Sequence, residues 1–264
     1  MRQLDTRSPT AGQPLQFKRH WIWVTVVALL PPLVVLTWVP PLAQDPAYHD
    51  FADQRSLLGI PHFGNVISNL PFVAVGAYGF WYTAARSSHD SAVLPGERYA
   101  QLIFFAGIAL TGLGSTWYHL QPDNLSLVWD RAPMTLGFMA LFGMMISERV
   151  SPKLGIGLLL PLCLIGLLSV YWWAIRDDLR AYAIVQFYPI LVMIFILWQL
   201  PSRYTHGNWY WGVLAWYAVA KVCEALDARL FEVLQWVSGH SLKHVFAAVS
   251  AWWLLRMLKI RRTL

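Results

Sequence analysis

The sequence has few charged residues for its length. Of 264 residues, 13% are charged and 57% are apolar, whereas a typical soluble domain has about 25% charged residues. The apolar residues lie in uninterrupted runs of about 20, the helix length that crosses roughly 30 Å of hydrocarbon. An ordinary soluble globule is therefore excluded, and the composition predicts an integral membrane protein.

Cysteine is also scarce. The two cysteines, Cys163 and Cys223, both lie inside apolar runs. A disulfide framework needs several cysteines in loops, and a thiolate zinc site needs several at close spacing. Neither is expected here. No connection between the apolar runs is long enough to fold as a second domain.

Eight apolar runs predict an all-α, polytopic bundle of transmembrane helices. The first run is longer than the apolar part of a secretory signal, so we interpret it as a retained helix. Pro31-Pro32 should bend or interrupt that helix. The predicted helices cover residues 21–40, 65–85, 101–120, 130–148, 154–174, 181–199, 209–232 and 241–258.

The distribution of Lys and Arg predicts the orientation. The net charge is +6, and we attribute it to orientation signals beside an anionic membrane surface rather than to nucleic-acid binding. With eight helices, the side that holds both termini carries 13 Lys and Arg residues, and the opposite side carries 5. The positive-inside rule then places both termini in the cytoplasm. In a bacterium, the opposite compartment is the periplasm.

Polar residues from three predicted helices fall on that opposite face. Ser115 and His119 lie four residues apart at the end of the third helix, and Asp130 begins the fourth. His240 and His244 are four residues apart at the start of the last helix. Residues at i and i+4 share a helix face, so two imidazoles can bind one metal ion. Three histidines would hold a tetrahedral zinc ion and leave its fourth position for water, as in catalytic sites.

Other polar residues have less defined roles. Within the seventh predicted helix, Lys221 and Glu224 form an i, i+3 pair that either neutralises itself or contacts a lipid headgroup. Asp227 is a further charge on that helix. Four histidines in tails or loops are expected to be solvated and without partners: His20, His49, His89 and His206.

The site residues resemble those of a known family, the alkaline ceramidases. That family lies within a broader group of seven-helix zinc hydrolases that also contains the adiponectin-receptor-like proteins. The resemblance spans roughly residues 50–258. It rests on Asn65-Val66-Ile67-Ser68-Asn69-Leu70-Pro71, on Ser115 with His119, on Asp130 with Pro133-Met134, and on the closing His240/His244 pair.

The resemblance implies a site and a domain organisation. His119, His240 and His244 would bind Zn²⁺, and Ser115 and Asp130 would complete the catalytic site. A seven-helix hydrolase core at 41–258 would follow a cytoplasmic N-terminal tail at 1–20 and an extra transmembrane helix at 21–40. A basic C-terminal tail at 259–264 would end the chain.

Calcium is a second cofactor in the family, bound by an acidic segment before the Asn-bearing helix. In this chain Asp53 and Asn65 correspond to possible ligands, but His62 stands where a glutamate is expected. Calcium prefers six to eight oxygen ligands, and a histidine supplies none. We therefore withhold a calcium assignment and expect residues 51–65 to have a structural role.

The predicted function is that of a zinc-dependent membrane amidase that hydrolyses the N-acyl bond of a ceramide-like lipid to a sphingoid base and a fatty acid. Water activated by the zinc with help from Asp130 would attack the amide carbon, and Ser115 would help to stabilise the oxyanion. The expected partners are the lipid amide substrate and membrane lipids, and the sequence predicts no oligomeric state.

Two alternatives remain open at this stage. The first is an adiponectin-receptor-like receptor or scaffold with a structural zinc ion, which the short, motif-poor cytoplasmic loops disfavour. The second is a transporter, which would place its polar residues near the membrane midplane rather than at one end.

Overall fold

The computed structural model describes residues 29–86 and 96–264, and these ranges contain helices but no β-strand. Contacts divide the chain into two units, Met1–Pro40 and Pro41–Leu264. In the first unit the described part is an apolar helix over Leu29–Trp38, which runs without interruption through Pro31-Pro32. The start of the predicted helix 21–40 lies outside the described residues, as do His20 and His89.

Nine helices lie in the described part of the second unit, together with short 3₁₀ turns at Pro46–His49 and Gly207–Trp209. The helices are α1 (Phe63–Ile67), α2 (Leu70–Ala85), α3 (Glu97–Leu120), α4 (Asn124–Arg149), α5 (Pro152–Arg176), α6 (Arg180–Gln199), α7 (Tyr210–Ala225), α8 (Asp227–Leu234) and α9 (Gly239–Ile260). The prediction of an all-α chain is confirmed for these residues.

Among the described helices, α3, α5 and α6 are long and apolar enough to cross a membrane. This finding is compatible with a membrane protein. Helices α4 and α9 have 26 and 22 residues but carry charged side chains along their length, and α2 and α7 have 16 residues each. The eight-span topology therefore stays a prediction.

Two of the predicted helices are each divided in the structure. The predicted helix 65–85 consists of α1 and α2, which are separated at Ser68-Asn69. Pro71 lies in the first turn of α2, where a residue without a backbone N–H is tolerated. Because Pro71 has no N–H to donate, it cannot extend the hydrogen bonds of α1 across the break. The predicted helix 209–232 consists of α7 and α8, with a break at Leu226.

Helix α4 begins earlier than predicted because its first turn is capped. The Ser126 amide donates to Asp123 Oδ1 at 2.6 Å, and the Asp123 amide donates to Ser126 Oγ at 3.1 Å. This reciprocal capping box satisfies two amides at the start of the helix. Asp130 therefore lies inside α4 rather than at its start, and the prediction on this point was wrong.

Glycine lets the central helices approach closely. A Cβ on Gly76 of α2 would lie 2.3 Å from the Ala109 amide nitrogen of α3, and one on Gly114 of α3 would lie 2.0 Å from the Trp129 carbonyl oxygen of α4. Such contacts leave no room for a side chain. The backbone of α3 therefore packs directly against the backbones of α2 and α4.

A buried ion network joins the start of α3 to the end of α4. Arg261, just after α9, donates from Nη2 to Glu97 at 2.9 Å and from Nη1 to Glu148 at 3.1 Å. All three side chains are buried, and the Leu264 amide bonds to the Arg203 carbonyl. The segment predicted as a basic tail is thus anchored to the bundle.

Candidate metal centre

Three histidines from two helices meet at one end of the bundle. His119 lies in the last turn of α3, and His240 and His244 lie in the first turns of α9. All three are buried, and one ligand nitrogen from each lies within 4.8 Å of the others. Nε2 of His119 and Nε2 of His244 are 3.4 Å apart, close to the roughly 3.4 Å expected for two nitrogens about 2.0–2.1 Å from a tetrahedral ion. The group can hold a metal ion.

The break between α7 and α8 positions the start of α9. One carboxylate oxygen of Asp227 accepts a hydrogen bond from the His240 amide at 2.7 Å, and the other accepts from the Ala52 amide at 3.0 Å. Ser238 caps α9 by accepting from the Ser241 amide at 3.1 Å. Asp227, which the sequence presents only as a charge on the seventh helix, therefore connects three segments behind the histidines.

Hydrogen bonding orients the ring of His244. Its Nδ1 lies 2.8 Å from the Ser68 hydroxyl, which donates to the Asn65 carbonyl at 3.0 Å. Nδ1 is therefore the protonated nitrogen, and Nε2 presents its lone pair toward His119. Such partners behind a histidine ligand fix its tautomer and orientation. The segment before α2 thus contributes a supporting residue.

Phe51 and His62 pack around the histidines on the side of the 51–65 segment. The Phe51 ring contacts the rings of His119 and His240, with centroids 4.6 and 4.7 Å apart. His62 Nδ1 donates to the His119 carbonyl at 3.0 Å. Within the described residues, Nδ1 of His119 has no hydrogen-bond partner and is buried. Phe51 and His62 therefore cover this face of the histidine group.

Ser115 and Asp130 lie beside the three histidines. Ser115 Oγ is 3.5 Å from His244 Nε2, which is long for a hydrogen bond, and the Asp130 carboxylate interacts with the Ser115 hydroxyl. Both side chains are buried. The contact of Gly114 with the Trp129 backbone brings them together. The structure thus places all five residues singled out from the sequence in one cluster.

A cavity of about 280 Å³ opens beside this cluster, lined by Ser115, Asp130 and His244. A deeper cavity of about 90 Å³ shares Phe72, Thr111, Met134, Tyr217 and Ala247 with it and is lined mainly by apolar side chains. Residues of α6 and α7 line both cavities. The two cavities therefore adjoin each other. The smaller one is mainly apolar, and the larger one, beside the histidines, also has charged side chains in its wall.

Sequence reasoning missed Lys243 as a site residue. Its Nζ lies 2.9 Å from His240 Nε2 and 3.1 Å from Glu224 Oε1. Glu224 also pairs with Lys221, as the sequence spacing predicts. Its position in the sequence could have identified it, because Lys243 lies three residues after His240, on the same helix face, and directly before His244.

Two histidines predicted to lack partners have them. His49 Nδ1 is 2.8 Å from the Tyr118 hydroxyl, and its Nε2 is 3.1 Å from Asn124 Oδ1. His206 Nδ1 is 3.0 Å from Thr205 Oγ1. The prediction was wrong for His49, because its partners come from distant parts of the chain. His206 is exposed, as predicted, and bonds to the neighbouring residue.

The two possible calcium ligands of the 51–65 segment, Asp53 and Asn65, are bonded to other side chains. Both Asp53 oxygens accept hydrogen bonds from Arg55 at 2.8 Å, and these bonds hold the pKa of the Asp53 carboxyl below its usual value. Arg55 also donates to the Gln235 and Trp236 carbonyls. Asn65 Oδ1 accepts from Ser241 at 2.8 Å. The candidate oxygens thus already accept hydrogen bonds from other side chains. The Arg55 guanidinium links this segment to residues 235–236.

The sequence matches no protein-family model and no curated protein. Residues 29–86 and 96–264 form an all-helical fold that is compatible with membrane insertion and carries a buried three-histidine group able to hold a metal ion.

Proposed function

We propose that the protein is a zinc-dependent membrane amidase that hydrolyses the N-acyl bond of a ceramide-like lipid. The observation that carries the proposal is the buried His119, His240 and His244 group, which lies next to a cavity that adjoins a second, apolar cavity. Three imidazoles with an open fourth position are typical of catalytic zinc sites. Zinc bound there would act as a Lewis acid and lower the pKa of coordinated water toward 7.

The neighbouring side chains suit an amide hydrolysis. Asp130 is a buried carboxylate at the cavity wall, where it can accept a proton from the attacking water and return it to the departing amine. Once Asp130 has taken that proton, the Ser115 hydroxyl, which lies between Asp130 and His244, is free to donate instead to the oxygen that becomes negative as the amide carbon turns tetrahedral.

The cavities support a lipid as the substrate. The deeper cavity is lined by apolar side chains of α3, α4, α6 and α7, including Phe104, Ile108 and Met193. An acyl chain in that space would have its carbonyl end at the larger cavity, beside Ser115 and His244. Burial of the chain among apolar side chains would contribute binding energy and would keep the amide in place.

The proposal is tested by His244→Ala, with His206→Ala as the control because His206 lies outside the metal centre. Zinc content and fatty-acid release from a ceramide panel are measured for both variants and for the wild type. Removal of a residue that only hydrogen-bonds to a metal ligand lowers metal affinity by roughly 10–100-fold. Because His244 would itself be a ligand, we expect His244→Ala to lose more zinc affinity than that and to lose fatty-acid release as well. Equal zinc and equal release in wild type and His244→Ala would refute the proposal.

A further inference from the structure

Three charged side chains from α7 and α9 form a group in the wall of the larger cavity: Lys221, Glu224 and Lys243, which we call the lysine–glutamate cluster. Glu224 pairs with Lys221 through one carboxylate oxygen and with Lys243 through the other. The Lys243 and Glu224 side chains are only 16% and 18% exposed. The sequence left open whether Lys221 and Glu224 neutralise each other, and the second lysine shows that they do not form an isolated pair.

The cavity wall carries an excess of positive charge. Its charged residues are Asp130, Arg131, Lys221, Glu224 and Lys243, which comprise three cations and two anions. A charge withdrawn from water is unfavourable unless an opposite charge or several hydrogen bonds compensate it. A ligand with one negative charge would neutralise the excess positive charge of the cavity wall.

Lys243 also has N–H groups that can donate hydrogen bonds to a ligand in the cavity. An ammonium carries three N–H groups, and within the described residues its hydrogen-bond partners are Glu224 and His240. The lone pair of His240 Nε2 can serve either this ammonium or a metal ion, but not both. A metal ion held through that nitrogen would leave Lys243 with donors directed to Glu224 and to the cavity.

We propose that the lysine–glutamate cluster is an anion subsite and that the substrate is a lipid amide with a negatively charged group close to its amide. A phosphate or a carboxylate would satisfy this chemistry, and a neutral ceramide would not. The proximity of Lys243 to His240 places the anion within a few bonds of the cleaved amide. This inference rests on the proposed amidase function and specifies its substrate class.

The test compares three lipids with the same acyl chain: ceramide, ceramide 1-phosphate and an N-acyl serine. Fatty-acid release by the full-length protein in nanodiscs gives kcat/KM for each lipid. We expect an anionic lipid to be preferred over ceramide by at least about 10-fold, which corresponds to about 1.4 kcal/mol. The phosphate and carboxylate lipids together show which anion the subsite accepts.

Lys243→Gln should abolish this preference, mainly by raising KM for the anionic lipids. Lys221→Gln is the second variant, because it changes the same cluster at a greater distance from the histidines and should weaken the preference. Lys153→Gln, an exposed lysine near the start of α5, is the matched control and should retain the wild-type preference. Zinc content is measured for each variant to show that the metal centre is retained.

A binding measurement separates this inference from the amidase proposal. N-alkyl analogues that lack the cleavable carbonyl are added with either a phosphate or a hydroxyl headgroup, and the shift in thermal unfolding is recorded. Stronger stabilisation by the phosphate analogue, lost in Lys243→Gln, supports the subsite even if no lipid is hydrolysed. The subsite is refuted if ceramide is cleaved at least as well as both anionic lipids. It is also refuted if Lys243→Gln and Lys221→Gln both keep the wild-type preference. In either case the amidase function stands.

Discussion

At the scale of single residues, the metal centre depends on what lies behind its ligands. His244 can present Nε2 only because its Nδ1 proton is bonded to Ser68, 2.8 Å away. Ser68 in turn donates to the Asn65 carbonyl. A rotated or differently protonated imidazole would point its lone pair away from His119 and His240. The hydroxyl of Ser68 therefore sets the geometry of the centre without touching the ion.

Ser68→Ala should lower zinc affinity by about 10–100-fold, the usual cost of losing an outer-shell partner of a histidine ligand. Chelator competition measures the affinity directly, without reference to turnover. Ser169→Ala is the control, because Ser169 is also buried but, in the part of the chain that the structure describes, bonds to the Gly166 carbonyl of its own helix, α5. Unchanged zinc affinity in Ser68→Ala would show that the ring is oriented by its packing and not by this hydrogen bond.

At the scale of helices, the close packing of α3 against α4 forms one side of the deeper cavity. Gly137 of α4 lines that cavity, and a Cβ placed on it would have Ile108 Cδ1 as its nearest neighbour, at 3.7 Å. This is an ordinary van der Waals distance. A larger side chain at this position would therefore extend into the cavity without forcing the helices apart.

Gly137→Leu should shift the preferred substrate toward shorter acyl chains, because the leucine side chain takes space that a long chain would occupy. We expect kcat/KM to fall about 10-fold or more for long chains, since several buried methylenes at about 0.8 kcal/mol each are displaced, and to fall less for short ones. An acyl-length series of lipid amides with fatty-acid release as the readout measures the shift.

Gly157→Leu provides the matched control for this series. Gly157 lies on an exposed face of α5, and a Cβ placed on it would meet nothing within 4 Å, so the same substitution there adds the same side chain away from the cavity. Its chain-length profile should equal that of the wild type. A uniform loss across all chain lengths in Gly137→Leu, with a lowered unfolding temperature, would indicate damage to packing and would contradict the assignment of this cavity to the acyl chain.

At the scale of the whole molecule, the two ends of the bundle differ in chemistry. One end holds the three histidines, and the other holds the buried network of Arg261 with Glu97 and Glu148. The positive-inside rule predicts that the end with Arg149 and Arg261 faces the cytoplasm. The metal centre would then face the opposite compartment, where a lipid of the outer leaflet could reach it.

Reporter fusions test this orientation. A fluorescent protein fused to the C-terminus should fluoresce, and alkaline phosphatase at the same point should be inactive. Phosphatase fused after Gln121, between α3 and α4, should be active, while a fusion after Ser151, between α4 and α5, should be inactive and serves as the control. The reverse pattern would mean that one span has been miscounted, with the segment around Pro31-Pro32 the first to re-examine, and would place the metal centre on the cytoplasmic side.

Much of the helical structure could be predicted from the sequence, because apolar runs and helix periodicity are local properties. The ends of α3, α6 and α9 lie within a few residues of the predicted ones. The pairing of His240 with His244 follows from a spacing of four residues, which places both on one face of any helix. The breaks at Ser68-Asn69 and Leu226 could not be read from hydropathy, because the polar residues there are few and apolar residues flank them on both sides.

What the sequence by itself determined is therefore the class of fold and the residues able to bind a metal ion. Only the tertiary structure decided which residues surround them, because those contacts join positions far apart in the chain. Ser68 supports His244 across a separation of 176 residues, and Asp227 connects His240 to Ala52. Lys243 joins Lys221 and Glu224 in one charged cluster only because α7 and α9 pack together, and no local pattern in either helix specifies that packing.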